Sequence, residues 1–297
     1  MRMLSPAGAY VLAHPGTFAR RVLSGFKKNQ GLLLAGAVAY YALLSVVPLL
    51  ILVVIALSHW VDQNELLSTL GRYLEWIVPG QSKPIVGELA NFVHHQSYIG
   101  WVLLVTMLFF SSLAFTVLEK AMSVIFLHRF AVRRRHFLVS ALLPYCYILS
   151  LGFGLMVMTF VSGGIQAMAQ DSIEFLGTQW SLQGVSGVLL YLLGLAGEVM
   201  LLTSIYMVMP VGRLWWRHAL VGGVTAAVLW ELSRRVLVWY FATLSKVSVV
   251  YGSLTTAIVV LFSLEIAATL LLLGAQVISD YEQIDRASGR AGARLPQ

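Results

Sequence analysis

Residues 253–279 read SLTTAIVVLFSLEIAATLLLLGAQVIS, and this run decides the fold class. It carries a single charge, Glu265, near its centre. A helix of this length rises about 40 Å, enough to cross a hydrocarbon core of about 30 Å with room to tilt. A helix on the surface of a soluble domain is apolar along one stripe, whereas this one is apolar all round. Five more runs of the same kind lie upstream, at roughly 32–58, 98–120, 137–162, 184–209 and 216–241. Trp60, Trp101, Trp180, Trp215, Trp216, Trp239 and Tyr240 stand near the ends of these runs, where belt aromatics belong. The 297-residue chain is 59% hydrophobic and 11% charged, against about 25% charged in a soluble domain. Mean hydropathy is +0.81. The reading is an all-α, polytopic membrane protein of six transmembrane helices, forming one membrane domain over residues 1–297.

The direction of the spans follows from Lys and Arg in the connections. Arg2, Arg20, Arg21, Lys27 and Lys28 precede the first run; Lys120, Arg129, Arg133, Arg134 and Arg135 join the second to the third. Arg213 and Arg217 join the fourth to the fifth, and Arg286, Arg290 and Arg294 follow the sixth. Only Arg72, Lys83 and Lys246 lie on the other side. By the positive-inside rule both termini are cytoplasmic. The first apolar run is too long for the 7–15-residue core of a signal peptide, so no cleavable leader is expected.

The connections are patterned too. Phe18, Val22, Leu23 and Phe26 recur at helical spacing within the cytoplasmic segment 1–31, flanked by Arg20, Arg21, Lys27 and Lys28. This is expected to be an amphipathic helix on the anionic inner leaflet, its cations facing lipid headgroups. The bland alternative is that these charges only set topology. Arg133, Arg134 and Arg135 are read the same two ways. In the outer connection 61–97, Asp62 and Glu65 form a capping-box pattern ahead of an apolar stripe through Leu66, Leu67, Leu70, Leu74 and Ile77. Pro79-Gly80 stops it, and Ser82-Pro84 start a second stripe with Val86, Leu89 and Val93. Two interfacial helices are expected, as a lid over the bundle or a hairpin that only packs. Residues 280–297 are expected to be a cytoplasmic tail.

The most informative residues are ionisable ones inside the spans. Glu198, Glu231 and Glu265 fall near the centres of the fourth, fifth and sixth runs, and Arg234 and Arg235 follow Glu231. Each such charge costs about 2.5–3.5 kcal/mol on insertion scales. Glu231 and Arg235 are i,i+4 and can pair along one face. Arg234 is then expected to reach another helix, to Glu265 first and Glu198 second; alternatively, one arginine snorkels outward to the periplasmic headgroups and leaves the other as the functional charge. Such a network is either a polar path for a charged headgroup, ion or proton, or glue that sets helix rotation. Tyr40, Tyr41 and Ser45 give the first helix a polar face. Gly222 and Gly223, with Ala226 and Ala227 four residues on, give the fifth small faces for close packing. Pro48 and Pro144 are candidate kinks.

Enzyme motifs fail on inspection. Gly184-Val185-Ser186-Gly187 is similar to the serine motif of rhomboid proteases, but the last histidine is His218, so the sixth run offers no base. No zinc-protease motif or phosphate loop occurs, and His94-His95 are adjacent rather than i,i+4. The lone Cys146 cannot form an internal disulfide. No enzyme activity, metal or cofactor is expected.

Several stretches together resemble the YihY/BrkB family of bacterial inner-membrane proteins. They are Ala39-Tyr40-Tyr41-Ala42-Leu43-Leu44-Ser45 with Pro48, Ser111-Ser112 leading to Glu119-Lys120-Ala121-Met122, Trp230 to Arg235, Tyr251-Gly252-Ser253-Leu254, and Leu273-Gly274-Ala275. The resemblance covers roughly residues 20–282. It implies six helices, an inner-membrane address and the older label of ribonuclease BN, with relatives linked to lipid export or flipping and to serum resistance. Many members place aromatic residues where this chain has Ser263 and Glu265, so Glu265 belongs to a narrower group. The expected function is transport or flipping of an amphipathic, anionic lipid or lipid-linked molecule. Site candidates are Glu198, Glu231, Arg234, Arg235, Glu265, Tyr40, Tyr41, Ser45 and Tyr251. The alternative is a structural or partner-binding membrane protein. Nuclease chemistry wants clustered metal-holding groups, and Glu119, Asp280, Glu282 and Asp285 do not supply them. Expected partners are membrane lipids and a second copy or an envelope protein, with no nucleic acid. A reporter fused after Gln297 should report cytoplasm, and one inserted near Gln81 should report the outer side. The reverse at both places would sink the charge-based orientation.

Overall fold

The computed structural model describes residues 6–57, 62–77, 80–94, 101–126, 146–147, 174–175, 178–179, 183–209, 214–244 and 254–292. Helices stand at five of the six expected spans. They are α3 (Gly31–Leu57), α6 (Trp101–Ile125), α7 (Gln183–Val208), α8 (Trp216–Leu244) and α9 (Leu254–Gly292). Before them come α1 (Pro6–Ala13) and α2 (Pro15–Lys28), and between α3 and α6 come α4 (Gln63–Ile77) and α5 (Ser82–His94). Among the described residues, Tyr191–Val208 and Ala257–Ala287 are long and apolar enough to cross a membrane, and Gly31–Ser45 is a shorter apolar helix. Most of the third span, with Pro144, lies outside the described residues, as do Arg133, Arg134, Arg135 and Tyr251. A two-stranded antiparallel ribbon, β1 (Glu174–Phe175) with β2 (Thr178–Gln179), precedes α7.

The helices form two pairs joined by a common member. α3 packs along α6, α7 packs along α8, and α9 packs against both α3 and α8. Small residues let α8 sit between its neighbours. A Cβ on Gly222 would strike Ile278 and the Gly274 carbonyl of α9, and one on Gly223 would strike Thr203 and Val199 of α7. Ala226 and Ala227 continue both faces and are buried. At the same level the Tyr206 hydroxyl of α7 donates to the Leu271 carbonyl of α9 at 2.7 Å, over Gly274. The third span leaves one described trace: Tyr147 stacks on Phe115 of α6 and donates to the Ser204 carbonyl of α7 at 2.8 Å.

The last helix runs beyond the apolar stretch, into the segment expected as a tail. α9 continues past Ser279 to Gly292, carrying an Arg286–Glu282 pair at 2.7 Å and buried Asp280, Glu282 and Ile284. This extension holds α2. Arg21 pairs with Asp280 at 3.2 Å and donates to Gln283, Asn29 donates to Gln276 at 2.9 Å, and Gln276 donates to Asp280 at 3.0 Å. Val22 and Phe26 are buried below these contacts. The amphipathic helix expected over residues 15–30 therefore docks on protein along one face, leaving Arg20, Lys27 and Lys28 exposed. Gln30, in the left-handed conformation at φ 54°, turns the chain from α2 into α3.

The connection between α3 and α6 is the expected pair of helices. Asp62 caps α4, its carboxylate accepting from the Asn64 N–H at 2.9 Å. Glu75 near the end of α4 accepts from the Gly80 N–H and the Ser82 hydroxyl, tying the turn at Gly80 (φ 77°) to the start of α5. Leu67 and Leu89 pack with Ile51 and Val54 of α3. The pair is thus a hairpin folded onto the second half of α3. Gly222→Leu should lower thermal stability in detergent by about 1–3 kcal/mol through overpacking. Gly197→Ala, with nothing near its Cβ, should be neutral or stabilising. Equal tolerance of both would refute close packing of α8 on α9.

Candidate functional site

The ionisable residues of the spans gather on facing helices. α7 and α8 are packed neighbours, and the Tyr191 hydroxyl of α7 donates to Glu231 Oε1 of α8 at 3.0 Å. Arg234 grips the same carboxylate twice, Nε to Oε2 at 3.1 Å and Nη2 to Oε1 at 2.8 Å. A two-point guanidinium–carboxylate fork is stronger and more directional than a single contact. Glu198 of α7 lies within electrostatic reach of both Glu231 and Arg234. Tyr191, Glu198, Glu231 and Arg234 therefore form one cluster between two spans. The expectation of a path or network at these positions acquires a defined centre, the Glu231 carboxylate.

The expected Glu231–Arg235 ion pair is present, with Arg235 Nε 3.6 Å from Glu231 Oε1. The difference lies at Arg234, expected to reach Glu265 or Glu198 on another helix: it holds the same Glu231 at i,i+3, and more closely. The side chains explain the choice: Arg234 is 24% exposed and Arg235 71%. The burial that favours a partner falls on Arg234's side of the helix. Glu265 is exposed on α9 with its Oε1 beside Gly36 of α3, away from the α8 arginines. Ser263, two residues earlier, is fully buried and its hydroxyl has no hydrogen-bond partner among the described residues.

Ser45 belongs to a different feature. Its hydroxyl lies 2.7 Å from the Tyr41 carbonyl and 2.6 Å from the Phe110 carbonyl, and it accepts from the Ala114 N–H at 3.2 Å. Phe110 and Ala114 are i and i+4 in α6, so Ser45 from α3 straddles a rung of the α6 ladder. A side chain inserted at a rung is one of the recognised causes of helix bending. Tyr40 is exposed and meets Tyr41 edge to face at 5.3 Å. The sequence candidates thus divide between the α7–α8 cluster, the α3–α6 contact and the α3-facing Glu265. Among the described residues no group of three or more His, Cys, Asp and Glu could hold a metal.

Tyr191 escaped the sequence reading. It is one aromatic in a run otherwise rich in Leu and Gly, and nothing in the spacing of α7 marks it. Only the register of α7 against α8 makes it a partner of Glu231.

Comparison with known proteins gives a consistent answer. The family model described as Virulence factor BrkB matches residues 22–295. A UPF0761 membrane protein of Aggregatibacter aphrophilus is 24% identical over 264 residues, covering 88% of this chain and 90% of that protein. One from Mannheimia succiniciproducens is 25% identical over 256 residues, covering 85% of each. One from Alkalilimnicola ehrlichii is 27% identical over 256 residues, covering 86% of this chain but 56% of that longer protein. No solved structure matches the chain. These likenesses agree with the apolar helices: the chain is an integral membrane protein, and it belongs to the BrkB family.

Proposed function

We propose that this protein is a multi-pass protein of the bacterial inner membrane, with six spans and both termini cytoplasmic, that moves an amphipathic anionic lipid or lipid-linked molecule across the bilayer. The observation that carries the reading is the cluster between α7 and α8. It sets two carboxylates, Glu198 and Glu231, and the Arg234 guanidinium near the middle of two apolar helices. Charges at that depth are expensive, and they mark substrate or ion pathways more often than not. Holding two helices in register needs one matched pair; Glu198 is a further acid in the same cluster. Arg235 and Glu265 add exposed charge on α8 and α9. No catalytic step is proposed.

One observation favours the competing structural reading. Arg234 grips Glu231 at two points within α8, as internal glue would. Vesicles reconstituted with the protein separate the two readings. A fluorescent phosphatidylglycerol in the inner leaflet should become accessible to an impermeant quencher faster than in empty vesicles. Glu198→Gln should slow this at least tenfold without lowering the melting temperature. Rates equal to empty vesicles would overturn transport. A double-mutant cycle with Glu231→Gln and Arg234→Met, read by thermal unfolding, should give a coupling of about 0.5–3 kcal/mol. The same cycle with Arg235→Met in place of Arg234→Met should give less. Simple additivity for Glu231 and Arg234 would show that their pairing is not what stabilises α8.

A further inference from the structure

α8 carries a stripe that is exposed among the described residues. Val228, Leu232, Val236 and Trp239 follow one another at the four- and three-residue steps of one helix face, Arg235 stands on its edge three residues after Leu232 and four before Trp239, and all are exposed. The opposite side is packed: Gly222, Gly223, Ala226, Ala227 and Leu237 are buried. Four of the five stripe residues are large and apolar, as a surface in contact with acyl chains should be. The fifth is a guanidinium that cannot give up its charge.

The carboxylate beside Arg235 is already engaged. Glu231 Oε1 accepts from Arg234 at 2.8 Å and from Tyr191 at 3.0 Å, and Oε2 accepts from Arg234 at 3.1 Å. Arg235 reaches it only at 3.6 Å, beyond a good charge-assisted hydrogen bond. One carboxylate thus faces two guanidiniums, and the more exposed one, Arg235 at 71%, is held by it the more loosely. Trp239 and Tyr240 lie one turn further along, at the end of the span. Such aromatics sit at the level of the headgroups. An arginine one turn below them, about 5.4 Å along the axis, extends toward that level rather than into the hydrocarbon.

We propose that the exposed face of α8 is a docking site for an anionic phospholipid, with the Arg235 guanidinium on the headgroup phosphate, Trp239 at the interface, and the acyl chains along Val228, Leu232 and Val236. The occupant is a lipid because the rest of the stripe is apolar and continuous with the cation. A free phosphate would gain nothing from those four side chains. This deepens the transport reading by giving the cargo class a place to arrive, and it rests on that reading only for the leaflet, which the charge rule makes the outer one.

The test is native mass spectrometry of the protein released from nanodiscs of phosphatidylglycerol mixed with phosphatidylcholine, counting retained phosphatidylglycerol. Wild type should keep one more phosphatidylglycerol than Arg235→Met, and Arg235→Lys should keep an intermediate share. Glu231→Gln removes the competing carboxylate and should raise retention, a gain that damaged folding would not produce. Equal retention in wild type, Arg235→Met and Glu231→Gln would overturn the site. Retention that follows Arg235 but is the same for phosphatidylcholine would also overturn it, since recognition of net anionic charge would be absent. The readout needs no transport. Empty-vesicle rates with Arg235-dependent retention sink only the transport reading, and transport with unchanged retention sinks only this one.

Discussion

Everything in the bundle leans on α9. Leu272, Ala275 and Ile278 have no exposed surface, and the helix touches α1, α2, α3, α6 and α8. In lipid, burying an apolar side chain between helices gains little over leaving it against acyl chains, so association depends on close contact and on hydrogen bonds made where water cannot compete. α9 supplies both. Gly274 brings its backbone against Gly222 and Ala226 of α8 and leaves room for Tyr206 to reach the Leu271 carbonyl. Ionic and amide contacts at Gln276 and Asp280 then fasten α2 to the same helix. A single helix thus organises both the apolar and the aqueous parts of the fold.

This arrangement makes the two ends of the bundle unlike. The main core joins Phe26 and Ala35 with Leu118, Met122, Met209, Ala219 and Ile278, all at the end where α2 docks. Toward the other end lie exposed Phe109, Tyr191, Leu192, Val236, Trp239 and Ile258, together with the Glu231 cluster. Smaller buried clusters stand at that end, Ile51, Val54, Leu67 and Leu89 in one and Val259 and Val260 in the other, while α9 joins the α3–α6 and α7–α8 pairs. The Ser45 hydroxyl on the Phe110–Ala114 rung, three residues before Pro48, is the polar contact that ties α3 to α6.

The apolar runs made five helices legible to within a few residues, because a span is a one-dimensional property of composition. The Asp62 cap and the Gly80 stop were legible for a similar reason: a cap and a left-handed turn are local. The end of α9 was not. Hydropathy falls at Asp280, yet the Glu282–Arg286 pair and buried Ile284 carry the helix on, and that amphipathic pattern appears only once α2 is known to cover it. The small faces of Gly222 and Gly223 were read correctly as packing surfaces, though not which neighbour each would meet. At the polar cluster, spacing pointed Arg235 to Glu231 and Arg234 to another helix, yet Arg234 is the closer partner. What decided between them was burial, and burial depends on where α7 lies.

That last point explains why two adjacent arginines are not redundant. Neighbouring positions on a helix are turned by about 100°, so a pair of them always presents two different faces. With α7 on one side, Arg234 faces Glu231, Tyr191 and Glu198, where its planar fork is satisfied within the protein. Arg235 falls on the uncovered side, where the same chemical group meets no comparable partner. Had the second cation been placed four residues away instead, it would have returned to nearly the same face and competed for the same carboxylate. Adjacency separates the two roles by geometry alone: one guanidinium holds the cluster, and the other carries its charge to the surface of α8.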